Sequence, residues 1–152
     1  MTLLLILLAL LKPEVPERTR WICDCQPISL EAAIEDADFI FSGRVLGVNQ
    51  TAAEDNDTRA PAMLLVEREF KGGELPTAVI VSSRMSEVQC GYRFEVDGRY
   101  LVYAYGHTDD SGITSLGTTL CHRSRLADEV DQEEWDRLWE RLSTPSYHLG
   151  RL

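Results

Sequence analysis

Four cysteines, Cys23, Cys25, Cys90 and Cys121, carry the most direct chemistry in this chain. Thiols serve as disulfide partners, metal ligands or nucleophiles. A zinc ribbon sets its ligands in two close C-x2–4-C pairs. Here one Cys-x-Cys stands beside two isolated thiols, so the spacing does not make a ribbon. Four cysteines allow three pairings. A Cys23–Cys25 bridge closes a very tight ring and is the least expected. Both other pairings tie the Cys-x-Cys segment to two distant points, and closing loops this long contributes about 4 kcal/mol each in the chain-entropy picture. Bridges fit an oxidising compartment and leave no thiol as a nucleophile. His107, His122 and His148 are scattered, each is expected at the surface, and no Ser-His-Asp or Cys-His set forms. The chain reads as no enzyme and as needing no cofactor.

The rest of the composition bounds the setting. A length of 152 residues fits one domain, and 44% hydrophobic with 26% charged residues is ordinary for a globular protein. The net charge of −10 disfavours a nucleic-acid backbone or an anionic membrane as partner. An oligonucleotide-binding role would also need a basic groove with stacking aromatics. Leu3 to Leu11 is an unbroken apolar run. It is too short for a membrane span, which needs ~20 residues, and has the length of a secretory signal's apolar region. A buried strand or short helix is the other reading of this run. Lys12 to Arg18 is polar and interrupted by Pro13 and Pro16, so it reads as a connector. Residues 1–22 are therefore expected to be leader and connector. The mature chain is expected to be secreted (periplasmic in a bacterium), with no stable membrane insertion after processing. Asn49-Gln50-Thr51 and Asn56-Asp57-Thr58 are acceptor patterns for glycosylation.

Hydrophobic spacing then predicts the elements that must position the cysteines. Leu30, Ala33, Ile34 and Ala37 give a short helix with Ser29 as its N-cap. Strands are expected at Phe39–Val48, Met63–Phe70, Thr77–Val81, Tyr92–Glu95, Tyr100–Tyr105 and Ile113–Leu120. Gly43 and Gly47 mark a bend or bulge in the first. Asp97-Gly98 is a hairpin signal joining the fourth and fifth. Near-regular turns between short strands suggest a small closed barrel or a sandwich. At the C-terminal end Trp135, Leu138, Trp139 and Leu142 switch to helical spacing, with Asp131 and Glu134 as a cap-like pair. This helix is expected to pack on the strands by its tryptophans. Asp128, Glu129, Asp131, Glu133, Glu134, Asp136 and Glu140 would form a solvated acidic face.

In this order the motifs acquire a resemblance. Cys23-Asp24-Cys25-Gln26-Pro27 resembles the Cys-x-Cys-x-Pro opening of the tissue inhibitors of metalloproteinases. Ala37-Asp38, Gly43-Arg44-Val45, Glu69-Phe70-Lys71-Gly72, Val88-Gln89-Cys90-Gly91-Tyr92, Tyr100-Leu101-Val102-Tyr103-Ala104 and Thr118-Thr119-Leu120-Cys121 continue the register. The ordered set is similar to this family and to the wider netrin-like module over residues 23 to 121. The resemblance implies a mainly β, five-stranded OB-like closed barrel over residues 23–126, disulfide-stapled, with a short N-terminal helix. The C-terminal amphipathic helix and tail, 127–152, would pack on it. It also implies pairing of Cys23 with Cys90 and of Cys25 with Cys121.

The implied activity is inhibition of a zinc metalloendopeptidase. The α-amino nitrogen and carbonyl oxygen of Cys23 would chelate the protease's zinc, with Asp24 entering the primary pocket. Cys25, Gln26 and Pro27 would extend this ridge, with Val88, Gln89 and Cys90 beside it. The loop after the first strand is a secondary contact in the family. At the Asp24 position the family usually has a small hydroxyl residue, and a family half-cystine is Glu35 here. The alternative expectation is a secreted netrin-like module that binds another extracellular protein and inhibits nothing.

Overall fold

The structure is a computed structural model that describes residues 23–49, 59–84, 90–108, 110–112 and 114–143. Residues 1–22, where a leader and connector are expected, the Asn56 acceptor pattern, Val88, Gln89 and His148 lie outside the described residues. Helix α1 is Leu30–Asp36, and the Ser29 hydroxyl accepts from the Ala32 N–H, the cap expected from sequence. Strands follow at β1 Phe39–Val48, β2 Arg59–Lys71, β3 Ala78–Arg84, β4 Arg99–Thr108, β5 Thr114–Gly117 and β6 Arg125–Leu126. The sheet order is β1-β2-β3-β5-β4-β6, and β1 also pairs with β4. Strands β1, β2, β3, β5 and β4 thus close a five-stranded barrel. All ladders are antiparallel except β3–β5, where Val81 pairs with Leu116. Closure removes the free edges that an open sheet would expose.

Curving ten-residue strands into so small a barrel needs bulges. The β1–β2 register shifts between Ser42 and Gly43 and between Val45 and Gly47, at the glycines singled out in the sequence. A Cβ on Gly43 would lie 2.7 Å from the Leu65 carbonyl oxygen, so the close strand approach requires glycine there. Because strand side chains alternate between faces, β1 and β4 each feed two cores. Phe39, Phe41 and Val45 join Val102 and Ala104 inside the barrel. Ile40, Leu101 and Tyr103 point outward and pack under the helices with Ile34 and Leu138.

Four details depart from the sequence reading. Tyr92–Glu95 is not a strand. The turn at Asp97-Gly98 forms, but the first half of β4 already pairs with β1 on one edge and β6 on the other, leaving no edge for a hairpin partner. Val45 instead bonds to both turn residues, its N–H donating to the Gly98 oxygen and its oxygen accepting the Asp97 N–H, each 2.9 Å. Strand β2 begins at Arg59 rather than Met63, because Arg59 to Ala62 pair with β3 and gain a ladder that their local propensity does not supply. Strand β3 runs on to Arg84, and its buried Ser83 hydroxyl is fully used in hydrogen bonds. The last long strand ends at Gly117; Thr118 leaves the ladder and is buried. The two-residue β6 carries no period-2 pattern to announce it.

A 3-10 turn, Ala127–Glu129, leads into α2, Gln132–Ser143. The Asp131 carboxylate accepts the Glu134 N–H at 2.8 Å, so this cap is as expected. The expected packing face forms in part, with both tryptophan rings against Phe70. Leu138 is fully buried, whereas Trp139 is 41% exposed and Trp135 only partly buried. Trp139 lies edge-on to Phe70 at 5.6 Å, and the Arg68 guanidinium stacks on it at 4.3 Å. Glu134 does not belong to a solvated acidic face: it is 1% exposed. Its carboxylate accepts from the Tyr103 hydroxyl and the Arg123 guanidinium, each at 2.7 Å, and from Arg125. A buried charge needs such partners, and the barrel wall supplies them. Among the described residues no helix is long and apolar enough to cross a membrane.

Candidate functional site

The bridges are Cys23–Cys90 and Cys25–Cys121, spanning 67 and 96 residues, with Cα–Cα distances of 5.1 and 5.0 Å. This is the pairing the family resemblance implies. Two bridges one residue apart clamp the segment before α1 to two turns of the barrel. Within it Cys23 and Cys25 are half-buried, while Asp24, Gln26 and Pro27 are exposed. The clamp therefore immobilises the backbone and leaves alternate side chains facing solvent. Cys90 is half-buried beside the segment.

The anchor turns are fixed by bonds that involve no sulfur. The Ser83 hydroxyl on β3 donates to the Thr118 oxygen at 2.8 Å and accepts the Tyr92 N–H at 2.7 Å. One side chain thus holds both the turn after Cys90 and the turn before Cys121. The Leu120 N–H donates to the Cys90 oxygen at 2.9 Å, tying the two turns together. Thr118 and Ser124 donate to the Tyr103 oxygen at 2.9 and 3.1 Å, and the Tyr103 N–H returns a bond to Ser124 at 2.9 Å. The loop bearing Cys121 is therefore pinned at both ends to one residue of β4.

Inside this loop the Cys121 N–H donates to the Thr119 hydroxyl at 3.1 Å. His122 is half-buried against Tyr105, ring centroids 5.3 Å apart, rather than a plain surface residue. Its Nδ1 accepts the Thr119 N–H at 3.2 Å and lies 2.9 Å from the Thr119 hydroxyl. That geometry needs a neutral ring with Nδ1 unprotonated. Burial acts in the same direction and lowers the His122 pKa, against a smaller opposing pull from Asp36. Arg123 follows. It pairs with Glu134 and also donates to the Ile28 oxygen at 3.3 Å, one residue past Pro27. The Glu134 carboxylate raises the Arg123 pKa further, so the guanidinium stays charged at all ordinary pH.

All four sulfurs converge. Cys23 Sγ lies 3.5 Å from both Cys25 Sγ and Cys121 Sγ, and the four lie within 4.8 Å of one another. Sequence spacing gives no sign of this, because the convergence depends on two turns brought together by β3 and β4. Nor do Ser83, Thr118 and Ser124 stand out in sequence, since a lone buried hydroxyl has no periodic signature. His107 lies on β4 in register with Ser115 of β5. Compared with known proteins, the chain matches no family model and no curated protein.

Proposed function

We propose that this chain is a secreted inhibitor of zinc metalloendopeptidases, resembling the tissue inhibitors of metalloproteinases. The observation that supports this reading is the doubly bridged ridge Cys23–Pro27, clamped at Cys23 and Cys25 and exposed at Asp24, Gln26 and Pro27. A pre-ordered backbone loses little entropy on docking. A catalytic zinc keeps one position open for water, and a two-point chelate displaces that water. With Cys23 as the first residue, its amine and carbonyl oxygen form such a chelate. An α-amino group with a pKa of ~7.7–8.0 is deprotonated for metal binding at little cost near neutral pH. The Val88–Gln89 stretch beside Cys90 would complete the contact.

The test compares two oxidised proteins, one beginning at Cys23 and one with a single alanine in front of it. Both are assayed against a panel of zinc metalloendopeptidases. Inhibition by the first and not by the second supports chelation, since the added residue turns the amine into an amide. Equal inhibition by both, or none by either, overturns it.

Asp24 favours a second reading. An exposed carboxylate must lose its water to enter an apolar specificity pocket, which is costly without a partner there. A secreted netrin-like module that binds another extracellular protein through the same ridge avoids that cost. A folded, free-amine protein that inhibits no protease of the panel would favour this reading.

A further inference from the structure

Two disulfides that pass this close to each other place four soft ligands in one small volume. The four Sγ atoms lie within 4.8 Å of one another, with two inter-bridge separations of 3.5 Å. We infer that, once reduced, Cys23, Cys25, Cys90 and Cys121 form a tetrathiolate zinc site. The same residues are then two staples in an oxidising medium and a metal centre in a reducing one. The inference goes beyond the inhibitor reading and does not depend on it.

A tetrahedral zinc with Zn–S of about 2.3 Å separates its sulfurs by about 3.8 Å. The two inter-bridge distances of 3.5 Å already match that edge. The two bonded pairs must open to non-bonded contact and the other two inter-bridge separations, none above 4.8 Å, must settle to the same edge, shifts within reach of side-chain rotation at Cα pairs 5.1 and 5.0 Å apart. The backbone that carries the ligands is held independently of sulfur. Ser83 fixes the turns next to Cys90 and Cys121, Leu120 joins them, and Thr118 and Ser124 fasten the second to Tyr103. Arg123 holds the Ile28 end of the remaining segment. Thiolate softness selects zinc over hard cations. Half-burial of all four cysteines leaves an entry path while limiting hydration.

The chemistry balances. Each disulfide takes two electrons and two protons from one dithiol, which leaves as its cyclic disulfide, so two dithiols yield four cysteine thiols. Zinc binding then releases four protons and forms four Zn–S bonds. The site carries a net charge of −2, and because four protons leave on binding, its affinity falls as pH falls.

The experiment uses the full chain, oxidised or reduced with a phosphine, in metal-free buffer under inert gas. Cobalt(II) is the probe, because tetrahedral four-sulfur cobalt has intense visible absorption and a thiolate charge-transfer band. The expected result is one cobalt per reduced chain with that spectrum, bleached by one equivalent of zinc, and no such spectrum with the oxidised chain. Cys90→Ser should lose the four-sulfur spectrum. Circular dichroism of the reduced chain with and without zinc covers the case in which reduction loosens the barrel: recovery of the oxidised spectrum at one equivalent also supports the site. A reduced chain that gives no tetrahedral cobalt spectrum overturns the inference. So does a four-sulfur spectrum that survives Cys90→Ser, or zinc binding with no recovery of a lost fold. No protease enters the assay, so either result leaves the inhibitor reading to its own test.

Discussion

The buried Glu134 carboxylate and the half-buried Arg123 guanidinium form an ion pair, 2.7 Å between Oε2 and Nη2, that joins the C-terminal helix to the loop bearing Cys121. Arg123 also donates to the Ile28 oxygen. One guanidinium therefore connects α2 to both sides of the Cys25–Cys121 bridge. The helix is a brace for the ridge rather than an appendage. Arg125 shares the same carboxylate from β6, and Tyr103 reaches it from β4.

Glu134→Gln should lower stability by up to about 3 kcal/mol, the low end of the cost of breaking a buried pair, since both guanidiniums left behind are partly exposed. Two guanidiniums would then face a neutral amide. Leu138→Ala, at a fully buried position, should cost about 2–5 kcal/mol. Trp139→Ala, at a 41% exposed position, should cost less than either. Denaturant unfolding of the oxidised chain measures all three. A Trp139 variant as damaging as Glu134→Gln would reverse this ranking.

Removing one bridge cleanly requires both of its cysteines, because a lone thiolate would sit 3.5 Å or so from its neighbour and exchange. Cys25→Ser combined with Cys121→Ser opens a 96-residue loop and should cost about 4 kcal/mol. Amide exchange at Gln26 and Ile28 should quicken more than exchange in β1. Unchanged protection at those amides would show that the Cys23–Cys90 bridge alone immobilises the ridge.

His122 should titrate below its ordinary value of 6.5, since burial disfavours the imidazolium. The sign for stability follows from linkage. With the folded-state pKa lowered, the contribution is fully present above 6.5 and is lost as pH falls through the folded value. Protonation of Nδ1 also breaks its bond from the Thr119 N–H. NMR titration gives the midpoint, and denaturant unfolding on either side of it gives the slope. His122→Gln should flatten that slope; a midpoint above 6.5 would contradict the packing against Tyr105.

On the inhibitor reading, Asp24→Ser should strengthen inhibition by the free-amine protein at least about 10-fold, because a carboxylate costs more to desolvate than the ~1–3 kcal/mol of a neutral polar group. Inhibition constants for the two proteins check this. Weaker inhibition by the serine variant would mean that the carboxylate meets a positive partner in the protease.

Local patterns alone were enough for several elements. Ser29 before Leu30 and Asp131 before Glu134 specify helix starts through bonds that span three residues. Gly43 and Gly47 announce the bulges of β1, and at Gly43 only a missing side chain admits the neighbouring strand so closely. Period-2 burial in Phe39, Phe41 and Val45 marks a strand feeding a core. The resemblance of the ordered motifs added the barrel and the bridge pairing, which spacing left open among three choices.

Tertiary structure decided the rest, for reasons that act across the chain rather than along it. Tyr92–Glu95 has strand composition, but both edges of its intended partner are occupied. Ser82 to Arg84 lack strand composition, yet they join β3 because β2 and β5 lie beside them and the Ser83 hydroxyl finds two partners. Glu134 carries the same charge as Glu133, but only Glu134 faces Arg123 and Arg125, which arrive from another part of the chain. The meeting of four sulfurs belongs to this class as well. Sequence fixes which residues are thiols, whereas their common distance is set by the strands that carry two remote turns to one end of the barrel.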